Sequence, residues 1–366
     1  MSQSSEDKRD RFARKMTDIL NYGALNLAMG IGYGTGLFEV LDGLKAPQSV
    51  EKIAAASGLD ARYIREWLGV MVTGGIVDRT NGVHGEDLYL LPREHGDLIT
   101  RRAGNANLGV YTQEIPLLTR CAMDEVVRGF TTGHGVSYDH YPDFQAFMGQ
   151  LADAKHREVL VDTFLPSVAN GEAVRRMQEG IRVCDVGCAE GLALILMAEA
   201  FPKSSFLGFD ISEPAIHTAR EAVQSRGLAN ISFEVRDCAR IMECGELAGH
   251  FEYILAFDAI HDQTRPQDAL QCVYAMLVRG GMFSMVDIAA SSRLAENVDH
   301  PMGPFLYAVS LMHCMPVGLV DNGAGLGMMW GREKAVAMLK EAGFEKVSVE
   351  KIPNDGFNLH FLGKKE

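Results

Sequence analysis

The stretch Val183-Cys184-Asp185-Val186-Gly187-Cys188-Ala189-Glu190-Gly191 carries the sharpest chemical signal in the chain, lying between an apolar strand-like run and the helical run 192–200. Gly187 and Gly191 permit a tight strand-to-helix turn and let a ligand come close to the main chain. An acid, Asp210, ends the next apolar run about twenty residues beyond Gly191, where it could accept from both hydroxyls of a ribose. A further acid, Asp237, closes the run after that, in Val235-Arg236-Asp237-Cys238. The turn lacks the G-x-x-G spacing that seats a pyrophosphate, and Asp185 stands two residues before its first glycine. Acids at three successive strand ends suit a ligand with a cationic amine, a ribose and an adenine, and no phosphate. S-adenosylmethionine fits that description.

His261 is the second candidate. It follows the fourth strand-like run, at the carboxyl edge where parallel sheets bind ligands. An imidazole with an ordinary pKa near ~6.5 can take a proton from an acceptor hydroxyl at neutral pH. A cofactor-side or structural role fits the same position.

Residues 181–287 resemble a class I S-adenosylmethionine-dependent methyltransferase domain, and the whole chain is similar to small-molecule methyltransferases of mycobacteria and nematodes with a winged-helix front. The closer likeness rests on Tyr141-Pro142-Asp143-Phe144, Phe257-Asp258-Ala259-Ile260-His261-Asp262 and Gly323-Ala324-Gly325-Leu326-Gly327-Met328-Met329-Trp330-Gly331. The resemblance implies an α/β, Rossmann-like sheet of seven strands in the order 3-2-1-4-5-7-6, with the seventh antiparallel. It implies methyl transfer by in-line displacement to the O, S or N atom of a small acceptor, with His261 as a general base. The implied cofactor contacts are Asp185, Gly187, Cys188, Ala189 and Gly191 near the methionine moiety, with Phe257 beside it. Asp210 would meet the ribose with Ile211 as its neighbour, and Asp237 and Cys238 the adenine. The family's middle glycine is Ala189 here, a departure that adds only a methyl group.

Weaker candidates each carry two readings. Tyr138, Tyr141 and Phe144 follow the glycine-rich stretch 129–135 and form either a lid over the cofactor or a plain loop. The segment 300–330 bears His300, His313, Cys314, Met302, Met312, Met315, Met328 and Met329. Its soft side chains make either an acceptor pocket, with Met312 and His313 beside Tyr138 and Tyr141, or a packing layer. Cys188, Cys238 or Cys314 could hold a metalloid or a thiol acceptor, though their spacing matches no zinc pattern and no metal is expected. The run Gly30-Ile31-Gly32-Tyr33-Gly34-Thr35-Gly36 mimics a nucleotide loop, but a helical pattern precedes it, which favours helix-packing glycines.

These residues need a frame. Strands are expected at 182–186, 205–209, 231–235, 253–257, 282–286, 346–350 and 357–361, alternating with helical stretches, the pattern of a parallel sheet covered on both faces. The helix 332–342 shows Ala335, Met338, Leu339 and Ala342 at helical spacing, with Gly343 as its stop. The first half is helical. A long apolar helix is expected over 23–41, then a helix capped by Ser49 and ended by Gly58, then one capped by Asp60 with Ile64, Leu68 and Met71 on one face. A hairpin over 76–91, turning at Asn81-Gly82, completes a winged helix. The expected domains are 1–172, for dimerisation and the lid, and 173–366, for the cofactor.

The charge balance restricts the partners. The 366 residues carry a net charge of -13, which disfavours nucleic acid and anionic membrane. Residues 1–100 hold eleven Lys/Arg against fourteen Asp/Glu, so the winged helix lacks the basic face of a DNA reader. A homodimer formed through residues 1–170 is expected instead, with a catalytically inactive S-adenosylmethionine-sensing regulator as the rival reading. No run reaches the ~20 apolar residues of a membrane span, and the charged N-terminus does not read as a signal peptide. Seven cysteines without a pairing pattern suit the reducing cytoplasm.

Overall fold

The computed structural model describes residues 5–141, 144–243 and 247–366. It divides into two compact units, Met1–Leu117 and Leu118–Glu366. This boundary falls earlier than the expected 172/173. The reason is packing: Leu160, Phe164, Leu165 and Val168 share one buried cluster with sheet residues Val183, Tyr253 and Leu255.

In the first unit, the helix expected over 23–41 is two helices, Ser5–Gly34 and Leu37–Leu44, meeting at 75°. Gly36 adopts φ 73° at the corner, a conformation that ends a right-handed helix at little cost to glycine alone. The glycine run is a packing device. A Cβ on Gly32 would stand 2.4 Å from the Trp67 ring, and one on Gly30 2.7 Å from the Thr112 carbonyl oxygen. The helix Val50–Ser57 follows Ser49 and stops at Gly58. The next, Ala61–Thr73, is capped by the Asp60 carboxylate, which accepts from the Arg62 and Tyr63 amides. Ile64, Leu68 and Met71 are buried on one face, as their spacing predicts. The wing is β1 (Asp78–Asn81) paired antiparallel with β2 (Asp87–Leu90). An isolated Gln48–Tyr89 bridge covers the other side of β2, so β1 is the edge, and all four of its residues are exposed.

The second unit is built on seven strands: β3 (Arg182–Val186), β4 (Ser205–Asp210), β5 (Ile231–Val235), β6 (Phe251–Phe257), β7 (Leu277–Ile288), β8 (Val347–Lys351) and β9 (Asn358–Lys364). Their order is β5-β4-β3-β6-β7-β9-β8, the expected 3-2-1-4-5-7-6, and β9 runs antiparallel to both neighbours. Strand β7 is longer than the apolar run 282–286 because it extends through Arg279, Gly280 and Gly281. Side chains alternate between the two faces of the sheet. Val183, Tyr253 and Leu255 enter one core; Cys184, Val186, Ile254 and Ala256 enter the other. Because β3 to β7 are parallel, their carboxyl ends share one edge. Antiparallel β9 begins at that edge, with Asn358 opposite Ile288.

Among the described residues no single helix is long and apolar enough to cross a membrane.

Candidate functional site

Two neighbourhoods form along this edge. The first is the turn after β3. The Gly187 and Cys188 amides donate to the Phe209 carbonyl at 2.8 and 3.0 Å, lashing the turn to β4. Gly187, Ala189 and Gly191 have φ of 75°, 48° and 76°. Ala189 thus occupies the left-handed region that glycine prefers, with a strain of roughly 1–2 kcal/mol. A Cβ on Gly191 would lie 2.3 Å from the Phe233 ring, so that position has no room for a side chain.

Asp210 clamps the turn. Its Oδ2 accepts from the Ala189 amide and its Oδ1 from the Ser212 amide, each at 2.9 Å. Each oxygen keeps a further lone pair for a ligand hydroxyl. Burial raises the Asp210 pKa, against the pull of these amide donors. Asp185 is buried, and its Oδ1 has no hydrogen-bond partner within the chain. Burial, then the charge of Asp210, pushes its carboxyl up to about 7. An orphaned carboxylate oxygen of this kind calls for a cationic partner. Ile211 beside it is 62% exposed, an apolar surface open to a flat ligand. Asp237 accepts from the Ala239 amide and pairs with Arg265, both at 2.9 Å. The Cys238 thiol is buried against the Ala269 carbonyl, leaving its main chain as the part able to meet a ligand. The Phe257 ring packs edge-on against Phe164, with the His156 ring 5.1 Å away.

The second neighbourhood centres on His261, which is buried. Its Nδ1 donates to Asp287, 2.9 and 3.0 Å from the two carboxylate oxygens. Its Nε2 lies 3.3 Å from Asp262 Oδ1. Burial alone would lower its pKa, but the charges of Asp287 and then Asp262, with hydrogen bonds to Asp287 and Cys314, lift it well above the usual range. The ordinary pKa expected from residue type does not hold: two carboxylates favour the imidazolium. Tyr138 donates to Asp262 Oδ2 at 3.3 Å, and Tyr141 donates to the Met312 carbonyl at 2.6 Å. Both tyrosine rings meet His313 edge-on, with centroids 5.4 and 4.9 Å away. Burial holds the His313 pKa at about 4, so its ring is neutral. Next door, Asp258 takes φ 49°, and its Oδ1 and Oδ2 both accept from Asn358 Nδ2, at 2.8 and 2.9 Å.

The turn glycines and acids and the His261 cluster thus line one edge of one sheet. Residues 177–313 match the methyltransferase-domain family, and residues 23–101 match the Rv2258c-like winged HTH domain. The chain carries a methyltransferase domain behind a winged helix. Methyltransferase domains of this fold use S-adenosylmethionine as the methyl donor. An uncharacterized protein of Rickettsia prowazekii is 28% identical over 141 residues, which is 37% of this chain and 23% of that protein. A tRNA (guanine-N(7)-)-methyltransferase of Microcystis aeruginosa is 39% identical over 49 residues, 13% of this chain and 23% of that enzyme. The chain spans less than a third of the length of these curated relatives. Among solved structures, human N-acetylserotonin methyltransferase with SAM superposes with a TM-score of 0.68 at 16% identity, covering 100% of this chain and 99% of that one. A putative O-methyltransferase from Nostoc punctiforme gives 0.68 at 14%, with full coverage of both chains. At such identity the likeness establishes the fold.

Several expectations about the methyltransferase domain need adjusting. Gly129 lies inside the helix Glu114–Thr132, so the loop before Tyr138 begins at Gly133. Pro142 and Asp143 fall outside the described residues, and Phe144 opens the helix Phe144–Lys155. In the segment 300–330, Met302, Met328 and Met329 pack with Ile288 and Leu306, whereas Met312, His313 and Cys314 belong to a π-helical turn, Ser310–Cys314. Sequence reasoning passed over Asp287, although an acid inside the last apolar residues of a strand was the signal that marked Asp210. It also gave no role to Asp262 or Asn358.

Proposed function

We propose that this chain transfers a methyl group from S-adenosylmethionine to a small-molecule acceptor. The observation that carries the reading is the buried Asp185 with its unpartnered oxygen, next to Asp210 clamping a left-handed glycine turn. Asp185 is suited to the ammonium of the donor, Asp210 to its ribose hydroxyls, and Ile211, Asp237 and the Cys238 main chain to its adenine. Gly187, Cys188, Ala189 and Gly191 would face the methionine portion, with Phe257 beside it. Tyr138, Tyr141, Met312 and His313 would line the acceptor side.

Methyl transfer requires a lone pair aligned behind the sulfonium methyl, so positioning supplies much of the rate. His261 is the proposed acid–base residue. Asp287 fixes Nδ1–H and thereby makes Nε2 the working nitrogen. To act as a base the imidazolium must first release its Nε2 proton, and the nearby Asp262 carboxylate, 3.3 Å away, favours the protonated form until it does.

The donor site predicts its own pH dependence. Asp185 titrates at about 7, far above an ordinary carboxyl, so its protonated fraction grows as pH falls through that value. A protonated Asp185 cannot pair with an ammonium. Affinity for S-adenosylmethionine, measured by calorimetry, should therefore weaken between about pH 7 and pH 6, and Asp185→Asn should bind weakly at both. Absence of binding by the unaltered chain at pH 7 and above would overturn the proposed function.

The assembly we propose is a homodimer formed through residues 1–170, in the cytoplasm. Phe12, Leu20, Tyr22, Leu27 and Ile31 on the first helix are exposed, Leu20 and Tyr22 each to 69%. Apolar side chains in such number along one helix mark an interaction surface. Light scattering should give twice the chain mass at micromolar concentration; a monomer there would refute the dimer.

A further inference from the structure

We propose that His261 Nε2, Asp262 Oδ1 and Cys314 Sγ form a binding site for a single divalent metal ion of the zinc class. The three donor atoms come from the loop after β6 and from the π-helical turn, and all lie within 4.8 Å of one another. In a tetrahedral zinc site the N, O and S ligand atoms stand about 3.3–3.7 Å apart, as follows from bond lengths of about 2.0–2.3 Å. The observed His261–Asp262 separation of 3.3 Å falls in that range. Asp262 Oδ1 is buried and accepts no hydrogen bond, despite this nearness. The two atoms are arranged as neighbours facing a common point, rather than as donor and acceptor.

Each ligand also has the outer partner that metal sites use to fix their ligands. The Asp287 carboxylate holds His261 Nδ1–H, giving the carboxylate–histidine arrangement that directs Nε2 at a metal. Tyr138 donates to the other oxygen of Asp262, and His313 Nδ1 lies 3.5 Å from Cys314 Sγ. The local backbone agrees. π-Helical turns cost stability and are frequent at functional sites, and Ser310–Cys314 is such a turn. His261 and Cys314 are buried while Asp262 keeps 17% of its side chain exposed, which leaves one side open for a fourth ligand.

Binding would release two protons, one from the His261 imidazolium and one from the Cys314 thiol. A neutral imidazole, a thiolate and a carboxylate then balance the two positive charges. The metal takes the place of the Nε2 proton, so the base role of His261 belongs to the metal-free chain. Only the chemical consequence rests on the proposed methyl transfer. An acceptor thiol or hydroxyl would bind in the fourth position and lose its proton to solvent. Its lone pair would then attack the methyl carbon as the sulfonium bond breaks, the bonding pair staying on the departing sulfur.

The test is titration of the chelator-stripped full chain with Co²⁺, which needs neither methyl donor nor acceptor. The expected result is one ion per chain, with a thiolate-to-cobalt charge-transfer band and the intense visible bands of four-coordination. Cys314→Ser should lose the charge-transfer band, and Asp262→Asn should weaken binding at least tenfold, each checked for folding by circular dichroism. Failure of the unaltered chain to bind Co²⁺ or Zn²⁺ at micromolar concentration would overturn the site. Binding that neither substitution alters would overturn it equally. Calorimetry of S-adenosylmethionine with the metal-free chain reads the proposed function separately.

Discussion

His261→Asn should lower turnover by about 10²–10⁴, the range expected when a positioned acid–base group is removed, while affinity for S-adenosylmethionine stays nearly intact. The partners of His261 are Asp287, Asp262 and Cys314, whereas Asp210 holds the turn after β3, so the loss should fall on turnover. Asparagine is the informative replacement. Its amide can still donate to Asp287, sparing that buried carboxylate the penalty of an unmet charge, and the variant should remain folded. Near-normal turnover would assign His261 a structural role and point to an acceptor that arrives with its lone pair available. Loss of turnover is expected whether Nε2 holds a proton or a metal, and the cobalt titration of Cys314→Ser separates those cases.

Asp210→Ala should weaken S-adenosylmethionine binding by at least tenfold. A charge-assisted hydrogen bond to a ribose hydroxyl is worth about 1.5–3 kcal/mol. The substitution also frees the Ala189 and Ser212 amides that Asp210 now holds, so the strained turn at Ala189 loses one of its restraints. The fold should survive, because Asp210 is the last residue of β4 and Phe209, one place earlier, accepts the two amides that tie the turn to the strand. Unchanged affinity in a folded variant would remove Asp210 from the donor site.

The inner part of the sheet was legible in the sequence because strands such as β3, β4 and β6 are short apolar runs, and the acids stand where those runs end. Asp210 and Asp237 could be placed by that rule, and Asp185 by its distance from the first glycine. The partners of His261 were harder to see. Asp287 lies 26 residues further along and reaches Nδ1 only because β6 and β7 are adjacent and parallel. Cys314 arrives on a π-helical turn, whose extra residue breaks the periodicity that sequence patterns rely on. In the first unit, continuous apolarity over 23–41 concealed the corner at Gly36. One positive φ redirected the chain without changing its composition.

The sheet edges bear on how copies of the chain can meet. Strand β1 is the outer strand of the wing, and its two leading residues are Asp78 and Arg79, the latter paired with Asp87. In the larger sheet the outer strands are β5 and β8. The first has Glu234 bridged to Arg236 just past its end, and the second closes on Glu350 and Lys351. An intruding strand would have to strip water from these charges before any ladder of main-chain hydrogen bonds could form. Growth of the sheets into fibres or swapped ribbons is therefore opposed at each of these borders.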